Sequence, residues 1–160
     1  MSDEYRIPEE INARFLEYLE GKNLRKSDER EAILKKVCAS NGHFDIDSLH
    51  EDLHETKYYV SRATLYNTLE LFIDAGIVIK HQTVPKAKAE YELRKRAESH
   101  IHLVCTKCGK LQEARFNAAL FTNSIIGMKT KLTPDYFSIY VYGVCKKCSA
   151  PPKIRNRKKG

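Results

Sequence analysis

Apolar side chains recur at three- and four-residue spacing through most of residues 8–75, and the polar residues interrupting them are those that start or stop helices. Ile11, Phe15, Tyr18 and Leu19 share one helical face between Pro8 and Gly21, which predicts an amphipathic helix over 8–20. Ser27 is placed to cap a second helix, with Asp28 and Glu29 near the positive end of its dipole and Ile33, Leu34, Val37 and Cys38 as its apolar stripe. On that stripe Cys38 reads as a core residue. After Asn41-Gly42, Asp45 caps a short third helix with Ile46, Leu49 and Leu53 inward. Ser61 caps a fourth, Arg62 to Ala75, which buries Leu65, Leu69, Phe72 and Ile73 and stops at Gly76. Its opposite face carries Arg62, Tyr66 and Asn67.

From Ile77 the period shortens to two. Ile77-Val78-Ile79 and Ala89 to Leu93 flank a turn region containing Pro85, so a two-stranded hairpin follows the helices, the order of a winged helix-turn-helix. A polar link, 94–99, leads to a strand through His102-Leu103-Val104, a second strand from Lys110 to Arg115, a helix from Asn117 to Lys131 and a last strand from Tyr136 to Val144. In that last strand Phe137, Ile139 and Val141 alternate with Tyr136, Ser138, Tyr140 and Tyr142, leaving both faces apolar or aromatic. Pairing with a second copy and burial beneath the 117–131 helix both remain open. The predicted class is α+β: a winged helix-turn-helix over 1–93, a linker over 94–99, a small α/β domain over 100–150, and a basic, disordered tail over 151–160.

Charge changes the picture by its distribution. The chain has a net charge of +7, yet residues 1–82 carry 11 Lys+Arg against 16 Asp+Glu, whereas 83–150 carry 12 against 5 and the last ten residues carry 5 and no acid. A polyanion bound by the N-terminal half must therefore meet a local cluster. The tail can help hold a phosphate backbone or stand solvated without a role. The opening Met-Ser-Asp-Glu-Tyr has no apolar signal segment and no apolar run is long enough for a membrane span, so a reducing cytoplasm and no membrane partner are expected.

Four of the five cysteines form two CxxC pairs, Cys105-Thr106-Lys107-Cys108 followed by Gly109, and Cys145-Lys146-Lys147-Cys148. Four thiolates suffice to close a tetrahedral structural zinc site, and the reducing compartment argues against disulfides. Just upstream, His100 and His102 flank Ile101 and so point to one face of an extended segment, which makes a second metal site plausible there. Alternate histidines on a strand are as often ordinary surface residues.

The succession of winged helix, HxHxxCxxCG, YxYG and a second CxxC resembles the ferric uptake regulator (Fur) family of metal-responsive repressors. The likeness runs from about Leu24 to Cys148, through Arg62-Ala63-Thr64-Leu65-Tyr66-Asn67-Thr68-Leu69, Asp74-Ala75-Gly76-Ile77-Val78, His102 to Lys110, and Tyr140-Val141-Tyr142-Gly143. It implies a homodimer on double-stranded operator DNA, with the structural zinc in the dimerisation domain. It also implies a regulatory site for a second divalent metal, Fe, Mn or Zn, at His43, Glu92, His100, His102 and Glu113. DNA contact would fall to Arg62, Thr64, Tyr66 and Asn67 on the fourth helix, with Arg25 and Arg30 nearby. Ligands from two domains closing on one ion would fix the separation of the two DNA-reading helices, converting metal free energy into DNA affinity.

The chain departs from the family pattern in several places. Ser99, Ile101 and Phe137 stand where many relatives build a further metal site, which is therefore expected to be absent. Glu29-Arg30 replaces the usual Pro-Arg, and Asn67 replaces an arginine of the recognition helix, implying an unusual operator or weaker DNA binding. No HxE followed by PCxxC is present, so a zinc deaminase is excluded and no catalytic activity is expected. Two other regulators are compatible with the same residues: a redox or peroxide sensor acting through the cysteines or through oxidation of His43 or His100, and a haem-responsive regulator.

Overall fold

The computed structural model describes residues 6–54, 59–81, 88–97, 100–117 and 137–150. Helices α1 (Glu9–Gly21), α2 (Asp28–Ala39), α3 (Ile46–His54) and α4 (Arg62–Asp74) precede a hairpin of β1 (Val78–His81) and β2 (Glu90–Leu93). A single helical turn, α5 (Arg94–Ala97), leads into β3 (His100–Cys105) and β4 (Leu111–Arg115). After the undescribed residues come β5 (Tyr140–Gly143) and a short α6 (Lys146–Ser149). The helix expected over 117–131 and the turn around Pro85 lie outside the described residues, as does the tail.

Helices α2, α3 and α4 start as their side chains dictate, whereas α1 begins after Pro8 with no side-chain cap. Ser27 Oγ accepts from Arg30 N at 3.3 Å, Asp45 Oδ1 from Ser48 N at 2.7 Å, and Ser61 Oγ from Thr64 N at 3.1 Å, each satisfying one of the backbone donors a helix leaves unpaired. α4 ends in a Schellman turn, with Ile77 N on Phe72 O (2.8 Å), Gly76 N on Ile73 O (2.9 Å), and Gly76 at φ +66°. α1 closes in the same way, but the left-handed position falls on Asn23 (φ +54°) rather than on Gly21, which lies inside the helix.

One core lies among the helices and the hairpin: Phe15 and Leu19 of α1, Ile33, Leu34, Val37 and Cys38 of α2, Leu49 and Leu53 of α3, Leu65, Leu69 and Phe72 of α4, and Val78, Tyr91 and Leu93 of the hairpin. Phe15 and Phe72 meet edge to face with centroids 4.9 Å apart. Phe44, just before α3, exchanges both backbone hydrogen bonds with Tyr91 (2.9 and 2.8 Å), adding a one-residue third strand to the wing. The polar link expected over 94–99 begins as α5, whose Ala97 is buried and whose Arg96 guanidinium donates to Ser40 O.

The second sheet has the order β4-β3-β5, with β3 antiparallel to β4 and parallel to β5. β5 is shorter than the 136–144 strand expected, and Val141, Tyr142 and Val144 are all exposed on this chain. Among the described residues no helix is long and apolar enough to cross a membrane.

Candidate functional site

Two clusters of metal-ligating side chains form among the described residues. The first joins Cys105 at the end of β3, Cys108 in the following turn, and Cys145 and Cys148 around α6, with all four Sγ atoms within 4.8 Å of one another. Gly109 at φ +72° turns the chain so that its N–H reaches Cys105 O at 2.9 Å. Cys108 and Cys145 Sγ are 3.9 Å apart, close to the roughly 3.8 Å edge of a tetrahedron of thiolates bound at zinc distances. Backbone N–H groups of Cys145 and Cys108 pull the Cys105 thiol down to about 6, while its three neighbouring thiols push Cys148 up to about 12. Thiolates this close repel, so the cluster holds its charge only around a cation. A borderline-soft ion such as zinc matches that donor set.

The second cluster is assembled by strand register. The Phe44–Tyr91 bridge is antiparallel, so one residue further along His43 stands opposite Glu92. In the other sheet His102 pairs with both Glu113 and Tyr140, and His100 lies two residues back on the same face. The two sheets meet across Glu92, which is fully buried. Its Oε2 lies 3.2 Å from His43 Nε2 and 3.3 Å from His102 Nε2, its Oε1 lies 3.3 Å from His100 Nε2, and the two Nε2 atoms of His100 and His102 are 3.1 Å apart.

Burial alone would raise the Glu92 pKa, but His102, His43 and His81 around it hold it far below the ordinary carboxylate range. Burial alone would lower His43, but the carboxylates of Glu92 and Glu113 prevail and raise it. Glu92 Oε1 and His43 Nε2 are both buried and, although they have polar neighbours at 3.3 and 3.2 Å, neither makes a well-directed hydrogen bond, a costly condition that a cation at the convergence of these lone pairs removes. The residues thus fit a divalent metal held by three imidazoles and a carboxylate.

Glu113, expected among the ligands, stands apart from this group. Its Oε1 is 2.6 Å from His43 Nδ1, the ring nitrogen away from Glu92, as in the outer carboxylates that orient metal-binding histidines. The sequence reading missed His81. It is 1% exposed, with Nε2 3.0 Å from Glu92 Oε2 and Nδ1 against the Tyr140 hydroxyl. Burial, followed by the neighbouring His102 and His43, lowers its pKa. The only signal available was phase, since His81 follows Ile77 and Ile79 at period two and so continues the inward face.

The fourth helix presents Arg62, Tyr66 and Asn67 to solvent, with Tyr66 51% exposed. Thr64 is half-buried and its hydroxyl meets that of Ser61 at 2.9 Å, so it belongs to the cap. Arg62 is tied to Asp47 of α3, and the other Asp47 oxygen takes Lys88 at 2.8 Å. Arg25 is exposed, while the Arg30 guanidinium donates to the Arg25 carbonyl.

Residues 21–142 match the model of the Ferric uptake regulator family. The chain belongs to that family. Fur-family proteins are DNA-binding transcription regulators and not enzymes. The chain is 28% identical over 125 residues to the peroxide-responsive repressor PerR of Staphylococcus epidermidis, covering 78% of this chain and 81% of that protein. Its fold is similar to the Vibrio cholerae ferric uptake regulator (29% identity, TM-score 0.55, 81% of this chain and 98% of that one). It is also similar to the Pseudomonas aeruginosa ferric uptake regulator with manganese (25% identity, TM-score 0.59, 80% and 96%).

Proposed function

We propose that this Fur-family chain is a cytoplasmic, homodimeric repressor in which a divalent metal, Fe, Mn or Zn, held by His43, Glu92, His100 and His102, favours the arrangement that binds operator DNA. Residues 1–93 form the DNA-reading unit, 100–150 the dimerisation unit, and Cys105, Cys108, Cys145 and Cys148 hold a structural zinc. The observation that carries the reading is that Glu92, at the end of the wing, lies 3.3 Å from both His100 and His102 of the other sheet. A cation there ties the two units, and whatever fixes their angle fixes the spacing of two recognition helices in a dimer. Strand β5, an edge of its sheet among the described residues and exposed at Val141, Tyr142 and Val144, is the surface a second copy would cover. Arg62, Tyr66 and Asn67 contact the operator, with Arg25 and Arg30 beside them, and the manganese-bound relative supports the metal's class.

The test is a linkage cycle. Operator affinity is measured with and without Mn²⁺, and Mn²⁺ affinity with and without operator, for the wild type and for His100→Ala and His102→Ala. The wild type should show reciprocal coupling of about 1–3 kcal/mol and the variants should lose it while keeping the structural zinc. A filled site with no effect on DNA affinity overturns metal control.

A second reading, in which peroxide is the signal, is favoured by the likeness to a peroxide-responsive repressor. It predicts that the Fe²⁺-loaded protein releases DNA on peroxide treatment with one oxygen atom gained at His43 or His100.

A further inference from the structure

His81 is a buried, chemically versatile side chain outside the group of four converging ligands. It sits on β1 of the wing, diagonal to Glu92 on the same face of the hairpin, because Ile79 pairs with Glu92 and His81 with Glu90. One ring nitrogen, Nε2, lies 3.0 Å from Glu92 Oε2, and the other, Nδ1, meets the hydroxyl of Tyr140. Tyr140 comes from β5, where it pairs with His102 and stacks on its ring at 4.9 Å and 23°. The line Tyr140–His81–Glu92 therefore crosses from the second sheet to the wing alongside the metal ligands.

We infer that His81 is a positioning residue for the regulatory metal: its Nε2–H donates to Glu92 Oε2, its Nδ1 accepts from the Tyr140 hydroxyl, and the pair fixes the carboxylate with Oε1 free for the cation. Three features favour this over direct ligation. A carboxylate pinned on one oxygen presents the other in one orientation, and Oε1, which makes no hydrogen bond, lies 3.3 Å from Nε2 of the ligand His100. The tautomer is forced, since Glu92 only accepts and the phenol has a proton to give. Both His81 nitrogens are then occupied before a metal arrives. The same contacts place β5, the proposed edge of the dimer, one hydrogen bond from the wing, so the order of the sheet and the aim of the ligand are mechanically joined.

The inference rests on the metal reading above, and its test separates the two. Wild-type protein with its structural zinc in place is titrated with Mn²⁺ and with Co²⁺, beside His81→Leu, His81→Gln and Tyr140→Phe. Loss of an outer-sphere partner should weaken metal binding about 10–100-fold in His81→Leu. The Co²⁺ absorption envelope and the number of histidine nitrogens detected around Mn²⁺ by pulsed EPR should stay at wild-type values. Gln, whose side-chain N–H can reach the same oxygen, should recover most of the loss, and Tyr140→Phe should lose a smaller part in the same direction. Wild-type affinity in His81→Leu, a missing nitrogen ligand in that variant, or no recovery in His81→Gln overturns the proposal. Should His81→Leu lose its zinc through misfolding, wild-type affinity in Tyr140→Phe would overturn it instead. In the metal-free wild type, long-range ¹H–¹⁵N spectra should show His81 as the Nε2–H tautomer, and an Nδ1–H tautomer would refute the assignment. Absence of any second metal in the wild type counts against metal control, while the tautomer still decides the role of His81.

Discussion

Asp47 at the start of α3 holds the guanidinium of Arg62 at the start of α4, and with its second oxygen it takes Lys88 at 2.8 Å beside the wing. Lys88 and then Arg62 hold its carboxyl down to about 2, so it is charged at neutral pH. The one arginine of the proposed recognition helix is thus neutralised by its own chain, in an N-terminal half that is already acidic. Asp47→Asn should free Arg62 for a phosphate, tightening DNA binding at low salt and steepening the dependence of log K on log salt by about one unit. Unchanged affinity and slope, from electrophoretic shift or anisotropy titrations over a salt series, would place Arg62 away from the DNA.

Cys105 is the most buried of the four clustered thiols and the one whose ionisation the backbone favours. Cys105→Ser should lose zinc and the fold of residues 100–150 together, because the binding free energy of such a site, on the order of 10 kcal/mol, is folding free energy for the elements it joins. Metal content by atomic absorption and mass by light scattering check this; a zinc-free variant that remains a stable dimer contradicts it.

Cys38 behaves oppositely. It is fully buried on α2, and burial pushes its thiol up to about 11, which leaves roughly one part in a thousand as thiolate at pH 8. With chelator present, a thiol reagent should modify the other four cysteines quickly and Cys38 only when denaturant opens the N-terminal core. Five fast thiols would mean that this core opens readily.

Gly76→Ala tests the turn that aims the wing. At φ +66° an alanine pays for a left-handed backbone, and its Cβ would sit 2.6 Å from Arg94 Nη1, which is a flexible end able to move aside. The expected loss is about 1–2 kcal/mol from the backbone alone, read from the urea midpoint at unchanged slope. A neutral result would show that the turn relaxes to a right-handed form.

What the sequence by itself determined is what neighbouring residues decide among themselves. The caps at Ser27, Asp45 and Ser61, the buried stripes of α2 to α4, and the stop at Gly76 are each written within one or two helical turns, and they stand where the periodicity put them. The CxxC pairs were legible for the same reason, since the i,i+3 spacing already turns two thiols toward one point. Tertiary structure decided everything that depends on register between distant strands. The meeting of His43 with Glu92 follows from the Phe44–Tyr91 bridge, and the resemblance could name the pair without supplying that cause. His81 gave no sign beyond its phase on a short strand, and Glu113 looked like any other carboxylate on the face of His102 until its contact with His43 Nδ1 separated its place from that of Glu92. Nothing in the local sequence pairs Asp47 of α3 with Arg62 of α4. Local spacing fixes which side chains share a face, but which faces meet, and which charges find each other there, depends on the packing of the whole chain.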